Sequence, residues 1–315
     1  MSKILITGSC GFIFSNVVIY LLQHSMDEIV SIDKLTCSGS LLNVPQVKRH
    51  KLYLGDICDY DFVKTIFEIE KPDIVIHGAA ESNVDNSIDN SRVFVNTNVV
   101  GTHNMLEVAR KVHTPNKFIN VSTNEVYGSV ETGHAKEDGQ LKPRSPHSST
   151  KASADLLGQS YFTTYGLPVI TTRCANNYGP RQHVGKLIPK AITNIFAGKK
   201  IPLYGNGKNK REWIYVKDNF WALQKIIESG KIGETYNVSS GYEKENIEVL
   251  KLILEIMNAD ESFIDYVEDR KGHDTRYSVD CGKLKQLGWK PEYTFEDALA
   301  HTVGWFEANP WSWKK

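Results

Sequence analysis

The sequence has no excess of charge of either sign and no long apolar run. Its 315 residues contain 37 lysines and arginines against 37 aspartates and glutamates, so the overall charge predicts neither nucleic acid nor an anionic membrane as a partner. The longest apolar stretches, such as 73–80, fall well short of the roughly 20 residues that span a bilayer. A bound anion must therefore be held by local groups.

Cysteine is scarce and scattered. The five cysteines form neither a Cys-x-x-Cys pair nor a Cys/His pattern with metal-ligand spacing, which argues against a disulfide framework and against a zinc site. The sequence starts directly with the strand-like KILITG and shows no basic and apolar leader. These features predict a cytoplasmic protein without a bound metal.

A glycine-rich turn between a predicted strand and a predicted helix stands near the start of the chain. Residues 3–7 are apolar, GSCGFIF follows at 8–14, and an amphipathic helix comes next. Gly8 permits a tight turn, and Gly11 lets the backbone approach a pyrophosphate at the helix N-terminus. This context favours a dinucleotide-binding turn over an ordinary βα turn. Phe14, however, stands where a third small residue would be expected, so its ring must enter a hydrophobic gap or push the helix away.

Three further predicted strands continue the pattern. Asp33 ends the second strand about twenty residues after the turn, where a carboxylate that accepts ribose hydroxyls favours NAD over its 2′-phosphorylated form; the alternative is an aspartate that caps the next loop. The strand at 51–54 is followed by GDI at 55–57, in which the Asp56 side chain and a backbone amide are suited to hydrogen-bond the edge of an adenine. The strand at 73–77 ends in GAA, small residues that let a cofactor lie against the strand ends.

The alternation of strands with helical segments at 59–70 and 92–111 predicts the fold class. It is α/β, a doubly wound parallel sheet of the Rossmann type with a smaller, interleaved C-terminal substrate-binding lobe. The predicted domains are 1–175, joined by part of 205–240, and mainly 176–315. No linker composition separates them.

One stretch is expected to join these two parts. VSTNEVYG at 121–128 closes the fifth strand, and SPHSSTK at 145–151 opens a long helix. Strand ends and helix starts meet at the carboxyl edge of a parallel sheet, where ligands bind. The candidate catalytic residues are Thr123, Asn124, Glu125, His147 and Lys151.

A set of basic side chains follows in the second part of the chain. Lys186, Arg211, Arg270 and His273 supply positive groups that suit a diphosphate. Each of them, taken singly, also fits a solvated surface charge.

Segments from almost the whole chain carry a family resemblance. They are TGSCGFIFSN, DKLTCSGSLLN, GDICD, HGAAESNVDNSI, NTNVVGTHNMLEVAR, VSTNEVYG, NNYGPRQHVGKLIPK, PLYGNGKNKREWIYVKDN, YNVSSG and DRKGHDTRYSVD. Together they resemble the extended short-chain dehydrogenase/reductases and, within them, the nucleoside-diphosphate-glucose 4,6-dehydratases. The resemblance implies tightly held NAD⁺, oxidation of glucose C4, loss of water across C5 and C6, and return of hydride to C6.

The resemblance also implies roles for individual residues. Glu125 would remove the C5 proton, Thr123 would hydrogen-bond O4, and Lys151 would bind the nicotinamide ribose and bias a neighbouring base. The implied cofactor-binding residues are Gly8, Gly11, Phe12, Ile13, Asp33, Lys34, Thr36, Asp56, Ile57, Ala79, Ala80, Ser82, Asn98, Lys151 and Asn176. The implied substrate-binding residues are Ser82, Thr123, Asn177, Lys186, Leu187, Ile188, Tyr204, Arg211, Asn246, Arg270 and His273.

Three residues depart from this family pattern: Phe14, described above, His147 and Asn124. His147 stands where the family has a tyrosine base, and it is a weak substitute, a base that acts through water, or a helix-start residue without a chemical role. Asn124 stands where the family has an aspartic acid that protonates the departing C6 hydroxyl. An amide positions that hydroxyl but donates no acid proton, so water or protonated Glu125 would have to act instead.

The predicted function is NAD-dependent dehydration of dTDP- or UDP-glucose to the 4-keto-6-deoxy sugar, slowed by His147 and Asn124. A related epimerase or eliminating variant and a nucleotide-sugar-binding protein without turnover are the alternatives. Glu125 argues against simple epimerisation, which needs no base at C5. The helices near 92–111 and 148–165 lie where family members pair, so a homodimer is expected; Leu156, Leu157 and Phe162 fit either that interface or the core.

Overall fold

A seven-stranded parallel sheet forms the centre of the computed structural model, which describes residues 1–270 and 272–314. The strands of the chain are β1 (Lys3–Thr7), β2 (Glu28–Asp33), β3 (His50–Leu54), β4 (Ile74–His77), β5 (Lys117–Thr123), β6 (Val169–Cys174), β7 (Asn176–Tyr178), β8 (Ile201–Tyr204), β9 (Lys210–Tyr215), β10 (Thr235–Val238), β11 (Tyr242–Glu245) and β12 (Ile264–Val267). The central sheet has the order β10-β6-β5-β4-β1-β2-β3. The predicted doubly wound α/β fold is confirmed.

Helices cover both faces of this sheet and build the second lobe. They are α1 (Phe12–His24), α2 (Tyr60–Glu70), α3 (Val84–Asp89), α4 (Ser91–Phe94), α5 (Thr102–Lys111), α6 (Pro146–Tyr165), α7 (Leu187–Phe196), α8 (Val216–Ser229), α9 (Asn246–Ile256), α10 (Gly282–Gln286) and α11 (Phe295–Ala308). A π-helical stretch, Val95–Gly101, joins α4 to α5. The single helix predicted near 92–111 is therefore interrupted, and π-helical turns are frequent at functional sites.

The chain returns to the central sheet after the second lobe has begun. Strand β10 pairs in parallel with β6, with Thr235 opposite Thr171, and α8 packs against α1. Strand β10 has no separate signal in the sequence, because a strand of four residues is too short to show a distinctive periodicity. The division into two domains stays a prediction, and its second range includes Lys271 and Lys315, which lie outside the described residues.

The second lobe has two small sheets and a separate apolar core. One sheet has the order β11-β9-β7 and the other pairs β12 with β8. Their buried side chains pack against α7, α9 and α11 through a cluster that includes Ile192, Trp213, Ile253 and Phe295. The lobe is thereby fixed beside the carboxyl ends of the central strands.

Phe14 lies in a hydrophobic gap beside Gly78. The ring is 6% exposed and belongs to the core on that face of the sheet. A Cβ added to Gly78 would lie 1.9 Å from the ring atom Cε2, so the ring fills the space that a side chain at this position would need. Helix α1 still begins at Phe12, and the Ser15 N–H donates to the Gly11 carbonyl at 3.0 Å. Gly78, expected to make room for the cofactor, makes room for Phe14.

Within 1–270 and 272–314, every helix is too short or too polar to cross a membrane.

Candidate active site

A cavity of about 450 Å³ lies at the carboxyl ends of the central strands and extends to the second lobe. Most of the predicted site residues line it. These are Gly8, Gly11, Phe12, Ile13, Asp33, Lys34, Thr36, Asp56, Ile57, Ala79, Ala80, Ser82, Thr123, Glu125, His147, Lys151, Asn176, Asn177, Lys186, Leu187, Ile188, Tyr204, Arg211, Asn246, Arg270 and His273. Asn98 and Asn124 are not among the lining residues.

The glycine turn has the shape that a dinucleotide requires. Gly8 has φ +75°, and a Cβ there would lie 2.9 Å from the Ala79 Cα, so only glycine fits without strain. The Asp33 carboxylate accepts the Cys10 N–H at 2.8 Å and the Leu35 N–H at 2.7 Å. Asp33 thus holds the turn and caps the next loop while it lines the cavity, and its contact with ribose hydroxyls stays a prediction.

A second carboxylate lies at the end of β3. Lys34 Nζ lies 3.4 Å from Asp56 Oδ2 and 3.1 Å from Thr97 Oγ1. Burial raises the pKa of Asp56, but the Cys58 backbone N–H and the Lys34 cation together lower it below its ordinary value. An ionised Asp56 is a suitable acceptor for the amino edge of an adenine. These residues together fit an NAD-type cofactor.

The catalytic stretch follows β5 in a short 3₁₀ turn, Asn124–Tyr127. Thr123 Oγ1 accepts the Glu125 N–H at 3.3 Å, so the threonine caps this turn and sets the direction of the glutamate. Asn124 is 1% exposed, and neither its Nδ2 nor its Oδ1 has a hydrogen-bond partner among the described residues. The amide expected beside the sugar is therefore buried next to the cavity instead of lining it.

Helix α6 carries the other two catalytic candidates. It begins with a capping box, in which Ser145 accepts the Ser148 N–H, and with Pro146 in its first turn. His147 and Lys151, four residues apart, lie on one face of the helix. The Lys151 Nζ donates to the Val121 carbonyl at 2.6 Å, which leaves its other protons for a ligand.

Both of these side chains have lowered pKa values. Burial lowers the pKa of Lys151, and Asp155 opposes that effect. Burial also lowers the pKa of His147; Glu125 opposes the effect, and the cations of Lys186 and Lys151 add to it. His147 is consequently a neutral imidazole near pH 7.

Arg211 supplies a buried positive charge on the lobe side of the cavity. The side chain is 6% exposed and lies 4.4 Å above the Tyr277 ring. Its guanidinium donates to the carbonyls of Asp274, Lys210 and Thr275 at 2.9, 2.8 and 3.4 Å. Among the described residues no carboxylate forms an ion pair with it, and burial lowers its pKa. A buried cation held only by carbonyls favours an anionic ligand.

Two of the three other predicted basic side chains, Lys186 and Arg270, reach across the cavity. Lys186 Nζ donates to the Ser82 carbonyl at 2.9 Å. Arg270 makes a two-point ion pair with Asp85 of α3, with Nε–Oδ1 at 2.5 Å and Nη2–Oδ2 at 2.8 Å. Its guanidinium also lies 4.9 Å above the Tyr204 ring. One of the cations expected to bind a diphosphate is therefore already paired with a carboxylate of the protein.

The sequence-based predictions do not include Gln182, Asp85 and Glu81, which also line the cavity. Gln182 lines the cavity with its Oε1 buried and unpartnered, as is the Oδ1 of its neighbour Asn177. Gln182 and Asp85 lie inside segments that carry the family resemblance, so position in those segments was an available signal. Glu81 contributes its backbone carbonyl, which accepts from His147 Nδ1 at 3.1 Å, and no side-chain pattern indicates such a role.

Comparisons with known proteins agree with this geometry. A family model described as GDP-mannose 4,6 dehydratase matches residues 5–302. The chain is 46% identical over 306 residues to the low-salt glycan biosynthesis protein Agl12 of Haloferax volcanii, covering 96% of this chain and 98% of that protein. It is 44% identical to a dTDP-glucose 4,6-dehydratase of Salmonella typhimurium, covering 98% and 93%. The crystal structure of the dTDP-glucose 4,6-dehydratase DesIV from Streptomyces venezuelae, with NAD bound, has a TM-score of 0.96 at 40% identity and 99% coverage of both chains.

Proposed function

Because the chain belongs to the GDP-mannose 4,6-dehydratase family, we propose that it is an NAD-dependent lyase that dehydrates dTDP-glucose to the 4-keto-6-deoxy sugar. The resemblance to extended short-chain dehydrogenase/reductases of the 4,6-dehydratase kind, predicted from the sequence, is confirmed. One observation carries the proposal: a carboxylate, a neutral imidazole and a lysine line the same cavity as an arginine without an acidic partner.

The residues divide the proposed reaction between them. When bound, NAD⁺ would accept hydride from C4 of the sugar and return it to C6. Thr123 would hydrogen-bond O4, and His147 would accept the O4 proton, since a neutral imidazole is a competent base near pH 7. Lys151 would hold the nicotinamide ribose with the protons that Val121 does not use.

Glu125 would carry out the second proton transfer, which is the removal of the C5 proton. The C5 proton becomes acidic only when C4 is a ketone, so the base for C5 must share a cavity with the hydride acceptor. Glu125 lines that cavity, and His147 and Lys186 lie close enough to interact with it electrostatically. Because Asn124 has no acidic proton and does not line the cavity, Glu125, protonated in the preceding step, would deliver the proton to the departing hydroxyl.

The nucleotide is proposed to be a thymidine diphosphate because the dehydratase relatives are named for dTDP-glucose. Arg211 and Lys186 would bind the diphosphate, and Arg270 would join them once it is released from Asp85. The unpartnered oxygens of Asn177 and Gln182 are acceptors for donors of the ligand.

Turnover is the direct test. The protein would be incubated with NAD⁺ and dTDP-glucose, and mass spectrometry would look for a product lighter by one water. Product is expected, and replacement of His147 by Tyr together with Asn124 by Asp should raise the rate. Tight binding of dTDP-glucose without product would contradict the proposal and favour a nucleotide-sugar-binding protein. An unchanged rate in the double variant would contradict the roles given to these two positions.

We further propose that the protein is a homodimer that pairs through α4–α5 and α6. Leu156 on α6 is 57% exposed, and Val93, Val95 and Val100 are 40–45% exposed on the neighbouring helices. Leu157 and Phe162 instead pack against the intramolecular core, so only Leu156 of the three predicted residues is available to a partner. Light scattering of the wild type and of Leu156→Glu would test this. A cytoplasmic location stays a prediction.

A further inference from the structure

We propose that Asn98 is a positioning residue that fixes the tautomer of His147 through the backbone of Glu81. The consequence is that His147 presents Nε2 as its basic nitrogen. The inference rests on the proposed function, in which His147 accepts the O4 proton.

The first step concerns the imidazole itself. His147 Nδ1 lies 3.1 Å from the Glu81 carbonyl oxygen. A carbonyl oxygen has no proton to donate, so Nδ1 must carry the hydrogen in this contact, and in a neutral ring the lone pair then lies on Nε2. Nε2 makes no hydrogen bond with the described residues, and the ring lines the cavity.

The second step concerns what holds the Glu81 carbonyl. The Asn98 side chain binds both polar atoms of that backbone unit: Oδ1 accepts the Glu81 N–H at 2.8 Å, and Nδ2 donates to the Glu81 carbonyl at 3.0 Å. Nδ2 also donates to Thr150 Oγ1 at 3.0 Å, and Thr150 Oγ1 donates to the His147 carbonyl at 2.8 Å. The Asn98 amide is thus linked to His147 in two ways. Glu81 links it to the imidazole ring, and Thr150 links it to the His147 backbone.

The third step concerns what holds Asn98. Its carbonyl accepts from Thr102 Oγ1 at 2.7 Å, and Thr102 Oγ1 lies 2.9 Å from His77 Nε2. His77 Nδ1 lies 2.9 Å from Thr7 Oγ1, which already accepts the N–H groups of Gly78 and Ala79. The Thr7 proton must therefore go to His77 Nδ1, and His77 donates from Nε2 to Thr102. Every donor in this series of hydrogen bonds therefore has one possible assignment.

Asn98 is 1% exposed and does not line the cavity, which separates this role from direct contact with a ligand. The resemblance to the dehydratases implied a cofactor-binding role for it. All of its side-chain hydrogen bonds instead go to Glu81 and Thr150.

The test reads the tautomer directly. Long-range ¹H–¹⁵N correlation spectra of protein with ¹⁵N-labelled histidine distinguish the two neutral tautomers, and the signals that disappear in His147→Tyr assign His147 among the ten histidines. The wild type is expected to show the Nδ1–H form. An Nε2–H form in the wild type would overturn the proposal. Because this spectrum requires no turnover, its result does not depend on whether the proposed function is correct.

Variants then test Asn98. Asn98→Asp keeps the size of the side chain but has no N–H to donate to Glu81, so the Nδ1–H form should be lost and kcat should fall about 10²-fold, with KM much less affected. Thr150→Val leaves the Glu81 contacts intact and should keep the Nδ1–H form. In a His147→Tyr background the same Asn98→Asp change should cost far less, since a phenol has no tautomers. An equal loss in both backgrounds would show a merely structural role and overturn the proposal.

Discussion

The two walls of the cavity differ in the polar contacts that they contain. The sheet wall, formed by the ends of β1, β4 and β5 with the start of α6, contains the chain of hydrogen bonds that runs from Thr7 to His147. The lobe wall, formed by β7, β9 and the segments that follow β7 and β12, contains unpartnered oxygens on Asn177 and Gln182 and an arginine without an acidic partner. Since buried polar groups are nearly always paired, the lobe wall is complete only with a ligand present.

The sheet wall also contains polar atoms without a hydrogen-bond partner among the described residues, including Ser122 Oγ and the side chain of Asn124. Both polar side-chain atoms of Asn124 are buried and unpartnered, which costs about 1–3 kcal/mol for each unsatisfied group. The family resemblance implies an acid at this position in the dehydratases. The sheet wall thus leaves the Asn124 amide unpaired at the position where proton donation to the leaving hydroxyl is expected.

The largest effect is expected from Glu125→Gln, which removes the base on the sheet wall but keeps its shape. The rate of dehydration should fall about 10²–10⁴-fold, while the affinity for dTDP, held by the lobe wall, should stay the same. Steady-state kinetics and calorimetric titration with dTDP would measure the two effects. A variant that keeps its rate would assign the C5 proton to another group, and a parallel loss of affinity would remove the separation between the two walls.

The next effect is expected on the lobe wall, from Arg211→Met. Loss of a buried, charge-assisted contact to a diphosphate should weaken dTDP binding by about 2 kcal/mol or more, in calorimetric titration of the otherwise unliganded protein. Arg276→Met is the matched control, because Arg276 pairs with Glu243 and is not among the cavity-lining residues. Equal losses of affinity in the two variants would contradict a direct contact between Arg211 and the diphosphate.

The elements of the sheet wall were largely predictable from the sequence. Strand β1 follows from an apolar run, and the turn after it follows from Gly8, whose φ of +75° only glycine adopts readily. Ser145 and Pro146 mark the start of α6 through local rules of helix capping. Glu125 and Lys151 could therefore be placed at the carboxyl edge of the sheet. These signals are local, so short windows of sequence carry them.

What could not be predicted depends on partners that are distant in the chain. The gap that accepts Phe14 exists because Gly78, which directly follows β4, has no side chain. The Arg270–Asp85 pair joins residues that are 185 positions apart. The Asn98 side chain makes hydrogen bonds to the Glu81 backbone and to Thr150 Oγ1. In each case residue type alone left the partner open, and the three-dimensional arrangement decided it.

A smaller effect is expected where the sheet wall meets the core, at Phe14 and Gly78. Gly78→Ala would place a Cβ inside the Phe14 ring, and such overpacking costs about 1–3 kcal/mol of stability. In a Phe14→Ala background the same change should cost little, because the gap is then empty. Thermal or urea unfolding of the four proteins gives the coupling, expected at about 0.5–3 kcal/mol for residues in contact. Additive changes in the free energy of unfolding would mean that the packing of the Phe14 ring does not depend on Gly78.

The smallest effect is expected from Asp85→Asn, which tests Arg270, a lobe-wall cation that the protein itself pairs with a carboxylate. The Arg270 and Asp85 side chains are 22% and 44% exposed, and a partly exposed ion pair contributes about 0–1 kcal/mol. If a diphosphate must displace Asp85, the variant should bind dTDP up to about fivefold more tightly, and the gain should shrink at high salt. Asp89→Asn, on the same helix but without an ion pair to Arg270, should bind like the wild type. Weaker binding by Asp85→Asn would mean that the carboxylate orients Arg270 for the ligand, and the lobe wall would then be partly assembled before the ligand arrives.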